Sequence, residues 1–181
     1  MESANKILTE IQRNMNAVEE FQIEQMVRLI EGTSKIFIDG SGRSGLMIKA
    51  FANRLLHLGY DVHVIGEITT PHTISDGILI LNSASGSTER LLLNAKKAKV
   101  NRMKLILITG NKSSRLGEIA DVQVVIPSPS KDSQDLDNNL QPMGSLYEQS
   151  SLILFDSIIL KLMEKSHQSA TMMKSRHADL E

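Results

Sequence analysis

Apolar residues recur along the chain with two different periods. Up to Gly32 they follow helical spacing, which predicts two amphipathic helices at the N-terminus. The period then changes, because residues 35–39 form a short apolar run that stops at a glycine-rich turn, as a buried strand does. Residues 44–58 return to helical spacing, and Gly59 follows them as a C-terminal stop. The first part of the chain therefore predicts helix, helix, strand and helix in that order.

This strand-loop-helix pattern recurs through the rest of the chain. Further strands are predicted at residues 61–65, 78–81, 104–108 and 122–126, and further helices at residues 88–99 and 145–164. The strands are nearly continuous in Ile, Leu and Val, which is typical of a parallel sheet covered on both faces. With crossover helices between the strands, the pattern predicts an α/β fold, a three-layer, doubly wound, five-stranded parallel sheet. On the first crossover helix we expect Leu46, Phe51, Leu55 and Leu58 to share one face.

The predicted elements form a single domain over residues 1–181, a length that can bury a sizeable core. Residues 1–32 supply the N-terminal helices, residues 33–165 the doubly wound core and residues 166–181 a short tail helix. Residues 127–142 are polar and predict a long loop, and such loops in compact domains are usually functional or disordered.

Composition removes several classes of function. The net charge of -1 provides no basic surface for nucleic acid, and aromatics at 3% provide no base-stacking platform. The absence of cysteine excludes disulfides and thiolate metal sites. The N-terminus lacks the pattern of a signal peptide, and no apolar stretch approaches the ~20 residues that span a membrane. We therefore expect a cytoplasmic protein with neither a nucleic acid nor a membrane as partner.

Two loops that follow predicted strands are rich in hydroxyl side chains. Residues 40–45 follow the first strand and residues 82–89 follow the third, and each loop opens a helix. Ligands of a doubly wound sheet bind beyond the carboxyl ends of its strands, and a helix N-terminus attracts anions. Small residues let backbone N–H groups approach a phosphate, and hydroxyls add further donors. The candidate phosphate-binding residues are Ser41, Arg43, Ser83, Ser85, Ser87 and Thr88.

The first loop also allows a different interpretation. Gly40, Gly42 and Gly45 match G-x-G-x-x-G after a strand, and Glu67 follows near the end of the second strand. That arrangement is typical of a dinucleotide-binding fingerprint, with the acidic residue on a ribose hydroxyl. The Ser and Arg in this loop and the second hydroxyl-rich loop argue against it. So does the short length of chain that remains for a catalytic domain. A dinucleotide-dependent oxidoreductase stays a minor alternative.

The second loop resembles the S-x-S-G-x-T phosphate loop of the sugar isomerase (SIS) family, which has a flavodoxin-like sheet and binds phosphosugars. Within that family the chain is similar to the 3-hexulose-6-phosphate isomerases. The segments that carry this similarity are residues 40–45, 54–59, 66–71, 141–149 and 176–181. The chain departs from the family pattern in four places, which leaves a related phosphosugar open as substrate. These departures are Ala84, Ser87, His72 and Asp179.

The resemblance implies an isomerase that interconverts D-arabino-hex-3-ulose 6-phosphate and D-fructose 6-phosphate through a 2,3-enediol, with neither a metal nor a cofactor. It also implies a homo-oligomer, a tetramer, with active sites near subunit contacts. Glu148 is the candidate base, and His57 and His177 are the candidate acids. The alternatives are structural, since Glu148 could complement a helix dipole and His57 could be a packing residue. A phosphosugar-binding protein without turnover is the alternative function.

Overall fold

The structure is a computed structural model that describes residues 1–128 and 140–180. The helices are α1 (Glu2–Met15), α2 (Glu20–Glu31), α3 (Gly42–Leu58), α4 (Glu89–Val100), α5 (Ser145–Lys165) and α6 (Ala170–Lys174). The strands are β1 (Ile36–Gly40), β2 (Val62–Val64), β3 (Ile78–Asn82), β4 (Lys104–Thr109) and β5 (Val122–Val125). They form one parallel sheet in the order β2-β1-β3-β4-β5. The predicted five-stranded α/β class is confirmed. Of the predicted loop at 127–142, residues 129–139 lie outside the described residues.

Helices cover both faces of the sheet, because successive strand residues point to opposite sides. In β1, Ile36 and Ile38 belong to a core cluster with α2, α3 and α5, whereas Phe37 belongs to a second cluster with α4. In β3, Ile80 and Leu81 divide between the two clusters in the same way. A strand buried on both faces is apolar along most of its length, which explains the nearly continuous apolar runs of the sequence.

Two details differ from the sequence prediction. Leu46 is 59% exposed, and the buried face of α3 carries Ile48, Phe51 and Leu55. The prediction of Leu46 on the same face as Phe51 was wrong because five residues do not bring two helical positions to the same side. The connections from β2 to β3 and from β4 to β5 are fully described and hold no α-helix. The second of them contains a single 3-10 turn at Gly117–Ile119.

The strand order reverses between β1 and β3, which makes their carboxyl ends the switch point of the sheet. Gly40 at the end of β1 is in register with Asn82 at the end of β3. The two hydroxyl-rich loops therefore leave the sheet side by side. None of the described helices combines the length and apolar character needed to cross a bilayer.

Candidate active site

A cavity of about 360 Å³ opens between the loops that follow β1 and β3. Its lining consists of Ser41, Gly42, Ser44, Asn82, Ser83, Ala84, Ser85 and Thr88. The volume lies within the range of small-molecule sites. The structure thus brings together the following candidate phosphate-binding residues: Ser41, Ser83, Ser85 and Thr88.

Both loops end at the N-terminus of a helix. Ser41 is the N-cap of α3 and Thr88 is the N-cap of α4, and neither side chain accepts a hydrogen bond from its own helix. The Ser83 and Thr88 hydroxyl oxygens lie 3.5 Å apart within the second loop. Helix N-terminal N–H groups carry partial positive charge and bind anions. Two such termini and their hydroxyls make the cavity suited to a phosphate group.

Glycine allows α3 to begin directly against β1. A Cβ atom on Gly45 would lie 2.8 Å from the carbonyl oxygen of Gly40, and one on Gly40 would lie 2.9 Å from the Cα of Gly45. In the second loop Gly86 has a φ of 64°, a conformation that favours glycine. Of the three glycines that resemble a dinucleotide fingerprint, Gly40 and Gly45 therefore have a packing role between a strand and a helix, and Gly42 has a φ of 58°.

Glu148, the candidate base, lies in the first turn of α5 and is buried, with its side chain 5% exposed. Arg43 Nη1 lies 3.1 Å from Glu148 Oε2 and also donates to Ser145 Oγ at 3.1 Å. Arg43 stands between two residues of the cavity lining, Gly42 and Ser44. The carboxylate and its cation therefore lie where the start of α3 meets the start of α5, next to the first loop but outside the cavity lining.

Among the described residues, two candidate phosphate ligands lie beside the cavity lining and not in it. The Arg43 guanidinium, half exposed, is directed at Glu148. Ser87 is exposed, and its hydroxyl donates to the backbone oxygen of Ser85 at 3.3 Å. A role for either residue on phosphate therefore stays a prediction.

A buried polar network holds α5 against the strand ends beneath the cavity. The single proton of the Tyr147 hydroxyl has two acceptors within reach, Asn82 Oδ1 at 2.6 Å and the Ile108 carbonyl at 2.9 Å. Asn82 Nδ2 donates to the Ser44 carbonyl at 2.9 Å and to Ser151 Oγ at 3.3 Å. Burial raises the pKa of Tyr147 well above its usual value, so its hydroxyl remains a donor. The network fixes the turn that carries Glu148.

Sequence analysis did not single out Ser44, Asn82 or Tyr147. Asn82 had a detectable signal, since it is the first polar residue after an apolar run and so stands at a strand end. Ser44 lies within the first loop and lines the cavity. Tyr147 carried no signal of its own, because its partners lie 65 and 39 residues away along the chain.

The two candidate histidines lie together at the other end of α3. Their rings stack with centroids 5.1 Å apart, and both line a cavity of about 460 Å³ between α3, α5 and α6. His57 is buried, and Arg54 Nη1 lies 3.4 Å from its Nδ1. From Arg43 to His57 the helix rises roughly 20 Å, at about 1.5 Å per residue. Within one chain the histidines therefore lie far from Glu148.

Glu67, the acidic residue of the dinucleotide alternative, is exposed in the turn that follows β2. Strand β2 does border β1, as that alternative requires. Geometry alone thus leaves both kinds of phosphate ligand open at the first loop, and similarity to known proteins is needed to separate them.

The chain belongs to the SIS domain family, whose model matches residues 29–154. It is 39% identical to a 3-hexulose-6-phosphate isomerase of Bacillus subtilis (strain 168), over 97% of this chain and 96% of that protein. It is 37% identical to a 3-hexulose-6-phosphate isomerase of Methanocaldococcus jannaschii (strain ATCC 43067 / DSM 2661 / JAL-1 / JCM 10045 / NBRC 100440), over 88% of this chain and 84% of that protein.

Solved structures extend the similarity to the whole fold. A hypothetical protein from Methanococcus jannaschii, whose inferred function is 3-hexulose-6-phosphate isomerase, superimposes with a TM-score of 0.86 at 32% identity. The match covers 100% of both chains. The flavodoxin-like SIS fold that the motifs predicted is confirmed, and with it the resemblance to phosphosugar isomerases.

Proposed function

We propose that this chain is an isomerase that interconverts D-arabino-hex-3-ulose 6-phosphate and D-fructose 6-phosphate. The observation that carries the proposal is the cavity between two hydroxyl-rich helix N-termini, with the buried carboxylate of Glu148 paired to Arg43 of the first loop. Full-length similarity to proteins named 3-hexulose-6-phosphate isomerase supports the choice of substrate. The same similarity argues against a dinucleotide-dependent oxidoreductase and against a dinucleotide as the ligand of the first loop.

The phosphate group lies between the two loops in this proposal. Serine and threonine hydroxyls, together with the N-terminal N–H groups of α3 and α4, donate to its oxygens. The proposed ligands are Ser41, Ser83, Ser85, Ser87 and Thr88, with Arg43 contributing charge near the site. In this proposal the bound phosphate leaves the sugar carbons to extend toward the start of α5, which carries Glu148.

Glu148 is the proposed base. It removes the proton from carbon 3 of fructose 6-phosphate, and the electron pair forms the 2,3-enediol as the carbonyl oxygen at carbon 2 takes up a proton. Return of a proton to carbon 2 and loss of the proton from the carbon 3 hydroxyl produce the 3-ulose. The position of Arg43 beside the carboxylate supports this role, since the ion pair holds the Glu148 side chain in a fixed orientation.

His57 and His177 are the proposed acids, and they reach the site from a neighbouring subunit. The rise of α3 supports this arrangement, because it separates both histidines from Glu148 in the same chain. Exposed aliphatic side chains on the outer faces of α3 and α5 support a subunit contact there. They are Leu46, Leu56, Ile153 and Leu160. We propose a homotetramer of single-domain subunits, residues 1–181, acting in the cytoplasm.

Deuterium exchange tests the reaction. The protein is incubated with fructose 6-phosphate in heavy water, and the sugar protons are followed by NMR. Deuterium entering at carbon 3 is expected, because the 2,3-enediol exchanges that proton. Entry at carbon 1 would instead indicate an aldose-ketose isomerase. Binding of the sugar phosphate without exchange would identify a phosphosugar-binding SIS protein and overturn the proposal.

A further inference from the structure

Asp39, at the end of β1, holds an arginine in a fixed orientation. Its carboxylate is buried, and both oxygens are engaged. Arg90 Nη1 donates to Asp39 Oδ2 at 2.7 Å and Arg90 Nη2 to Oδ1 at 2.8 Å. Asn94 Nδ2 donates to Oδ2 at 2.7 Å, and the Gly40 N–H donates to Oδ1 at 2.8 Å. This two-pronged pairing leaves the guanidinium of Arg90 little rotational freedom.

The same guanidinium reaches past Asp39 into the first loop. Arg90 Nη2 lies 3.0 Å from the Gly40 carbonyl and 3.3 Å from Ser41 Oγ. Arginine has donors and no acceptor, so Ser41 Oγ accepts in this contact. The hydroxyl proton of Ser41 therefore points away from Arg90. The Ser41 side chain accepts no hydrogen bond from the N–H groups of α3, and Ser41 lines the cavity.

We propose that Arg90 is a positioning residue that fixes the Ser41 hydroxyl as a donor to the phosphate of the substrate. This inference rests on the proposed function, which puts a phosphate group in the cavity. A phosphate dianion only accepts hydrogen bonds, so a hydroxyl whose oxygen is already occupied by a donor presents its proton to it. Asp39 neutralises the charge of Arg90, so Arg90 acts through the direction of the Ser41 proton and not through its own charge.

A double-mutant cycle tests this inference. Arg90→Lys keeps a cation opposite Asp39 but loses the fork that also reaches Ser41. We expect Arg90→Lys and Ser41→Ala each to raise KM for fructose 6-phosphate about three- to tenfold, the size of one hydrogen bond, with kcat within about twofold. In the Ser41→Ala background, Arg90→Lys is expected to raise KM less than about twofold more, because its target is gone.

Asn94→Ala is the matched control. It removes a hydrogen bond to Asp39 but leaves the Ser41 contact in place, so thermal stability falls while KM stays unchanged. If Arg90→Lys does not fold, Asp39→Asn combined with Arg90→Gln replaces it, since that pair removes the buried carboxylate together with the cation. The same cycle is run on this pair.

The outcomes separate this inference from the proposed function. If Arg90→Lys raised KM as strongly in the Ser41→Ala background as in the parent, Arg90 would act independently of Ser41 and the inference would be overturned. If Ser41→Ala left KM unchanged in an active isomerase, the phosphate site itself would be misplaced. Titration with inorganic phosphate, followed by the shift in melting temperature, repeats both comparisons without turnover.

Discussion

The Glu148 side chain is buried and lies beside Arg43, which is half exposed. Removing one partner of such a pair leaves the other without its counter-charge, so the two residues are expected to matter together. The sugar enters between Glu148 and solvent in the proposed mechanism. The protein and the bound sugar then together exclude water from the Glu148 carboxylate.

Glu148→Gln keeps the volume of the side chain and removes its ability to accept a proton. We expect deuterium exchange at carbon 3 to fall about 10²- to 10⁴-fold, the usual contribution of a positioned base. Affinity for inorganic phosphate should stay nearly unchanged, because the phosphate loops are untouched. Exchange is measured by NMR and affinity by calorimetry.

Glu67→Gln is the control for that experiment, since Glu67 is an exposed glutamate away from the cavity lining. Its exchange rate is expected to equal that of the parent protein. Turnover by Glu148→Gln at the parent rate would remove Glu148 from the mechanism.

At the residue scale, the sequence predicted the cavity-lining side chains that stand close to a strand end. Ser41 and Ser83 directly follow β1 and β3, Thr88 directly precedes α4, and a local apolar run sets the position of each strand end. It did not find Arg90, whose contacts with Asp39 and Ser41 span 51 and 49 positions of the chain. Tertiary packing creates such long-range side-chain contacts, so no local sequence pattern predicts them.

The junction of β1 and α3 holds the first loop of the proposed phosphate site in place. Gly45→Ala would put a Cβ 2.8 Å from the Gly40 carbonyl oxygen, and backbone atoms cannot yield there as a flexible side chain could. We expect a loss of about 3 kcal/mol in the free energy of unfolding, as for overpacking, and a higher KM because α3 and Ser41 move. Urea denaturation and steady-state kinetics measure the two effects.

Gly42→Ala is the matched comparison in the same helix turn. A Cβ there meets no atom within 4 Å, but the φ of 58° is strained for alanine. The expected loss is about 1 kcal/mol. Equal losses at the two positions would show that close packing of β1 and α3 does not set the cost at Gly45.

Asp121 stabilises the short connection between β4 and β5. It accepts from Lys99 Nζ at 2.7 Å, from the Leu105 N–H at 2.8 Å and from Lys104 Nζ at 3.3 Å. Partial burial raises the pKa of Asp121, but these hydrogen bonds and charges together outweigh it and lower that pKa below its ordinary 3.8. A lowered folded-state pKa means that the ionised group stabilises the fold.

Asp121→Asn should therefore cost stability in a pH-dependent way. The stabilisation is complete above the ordinary pKa and disappears as pH falls through the lower folded-state pKa. We expect a loss of about 1 kcal/mol near neutral pH that vanishes in strong acid. Urea denaturation across that range measures it, with Asp179→Asn in the exposed tail as control. A loss that is the same at every pH would contradict the assignment.

At the element scale, the sequence predicted the strands closely and the connections less well. The predicted strand at residues 78–81 lies within β3, because a strand buried on both faces leaves an unbroken apolar run. The connection between β4 and β5 needs only a 3-10 turn, and a turn of three residues leaves no helical period to detect. Leu46 was misplaced because a spacing of five residues does not bring two helical positions to the same face.

At the scale of the whole molecule, the length of α3 decides how an active site can be completed. The sequence already predicted a helix over residues 44–58, and such a helix separates its ends by roughly 20 Å. A base near its start and a histidine near its end therefore cannot serve one site in the same chain. No local sequence pattern predicts which surfaces of two chains pack together, so the proposed arrangement of subunits is tested by experiment.

Mixing two inactive variants tests whether the site is shared between subunits. Glu148→Gln and His57→Gln are each expected to be nearly inactive alone. In a mixed pair of subunits one site carries both defects and the other carries none, so random assembly should restore about a quarter of the parent activity. Co-expression of the two variants in equal amounts under one common affinity tag, followed by purification of all assemblies together and the deuterium assay, measures the recovery.

The same experiment with His177→Gln in place of His57→Gln tells which of the stacked histidines donates the proton. Only the histidine that acts across the contact should complement Glu148→Gln, because a packing residue disturbs every site of the assembly alike. A mixture no more active than the two variants added together would mean that neither histidine crosses a subunit boundary to meet Glu148. The acid would then have to come from the region around α3 and α5 that surrounds Arg43 and Ser145 in the same chain.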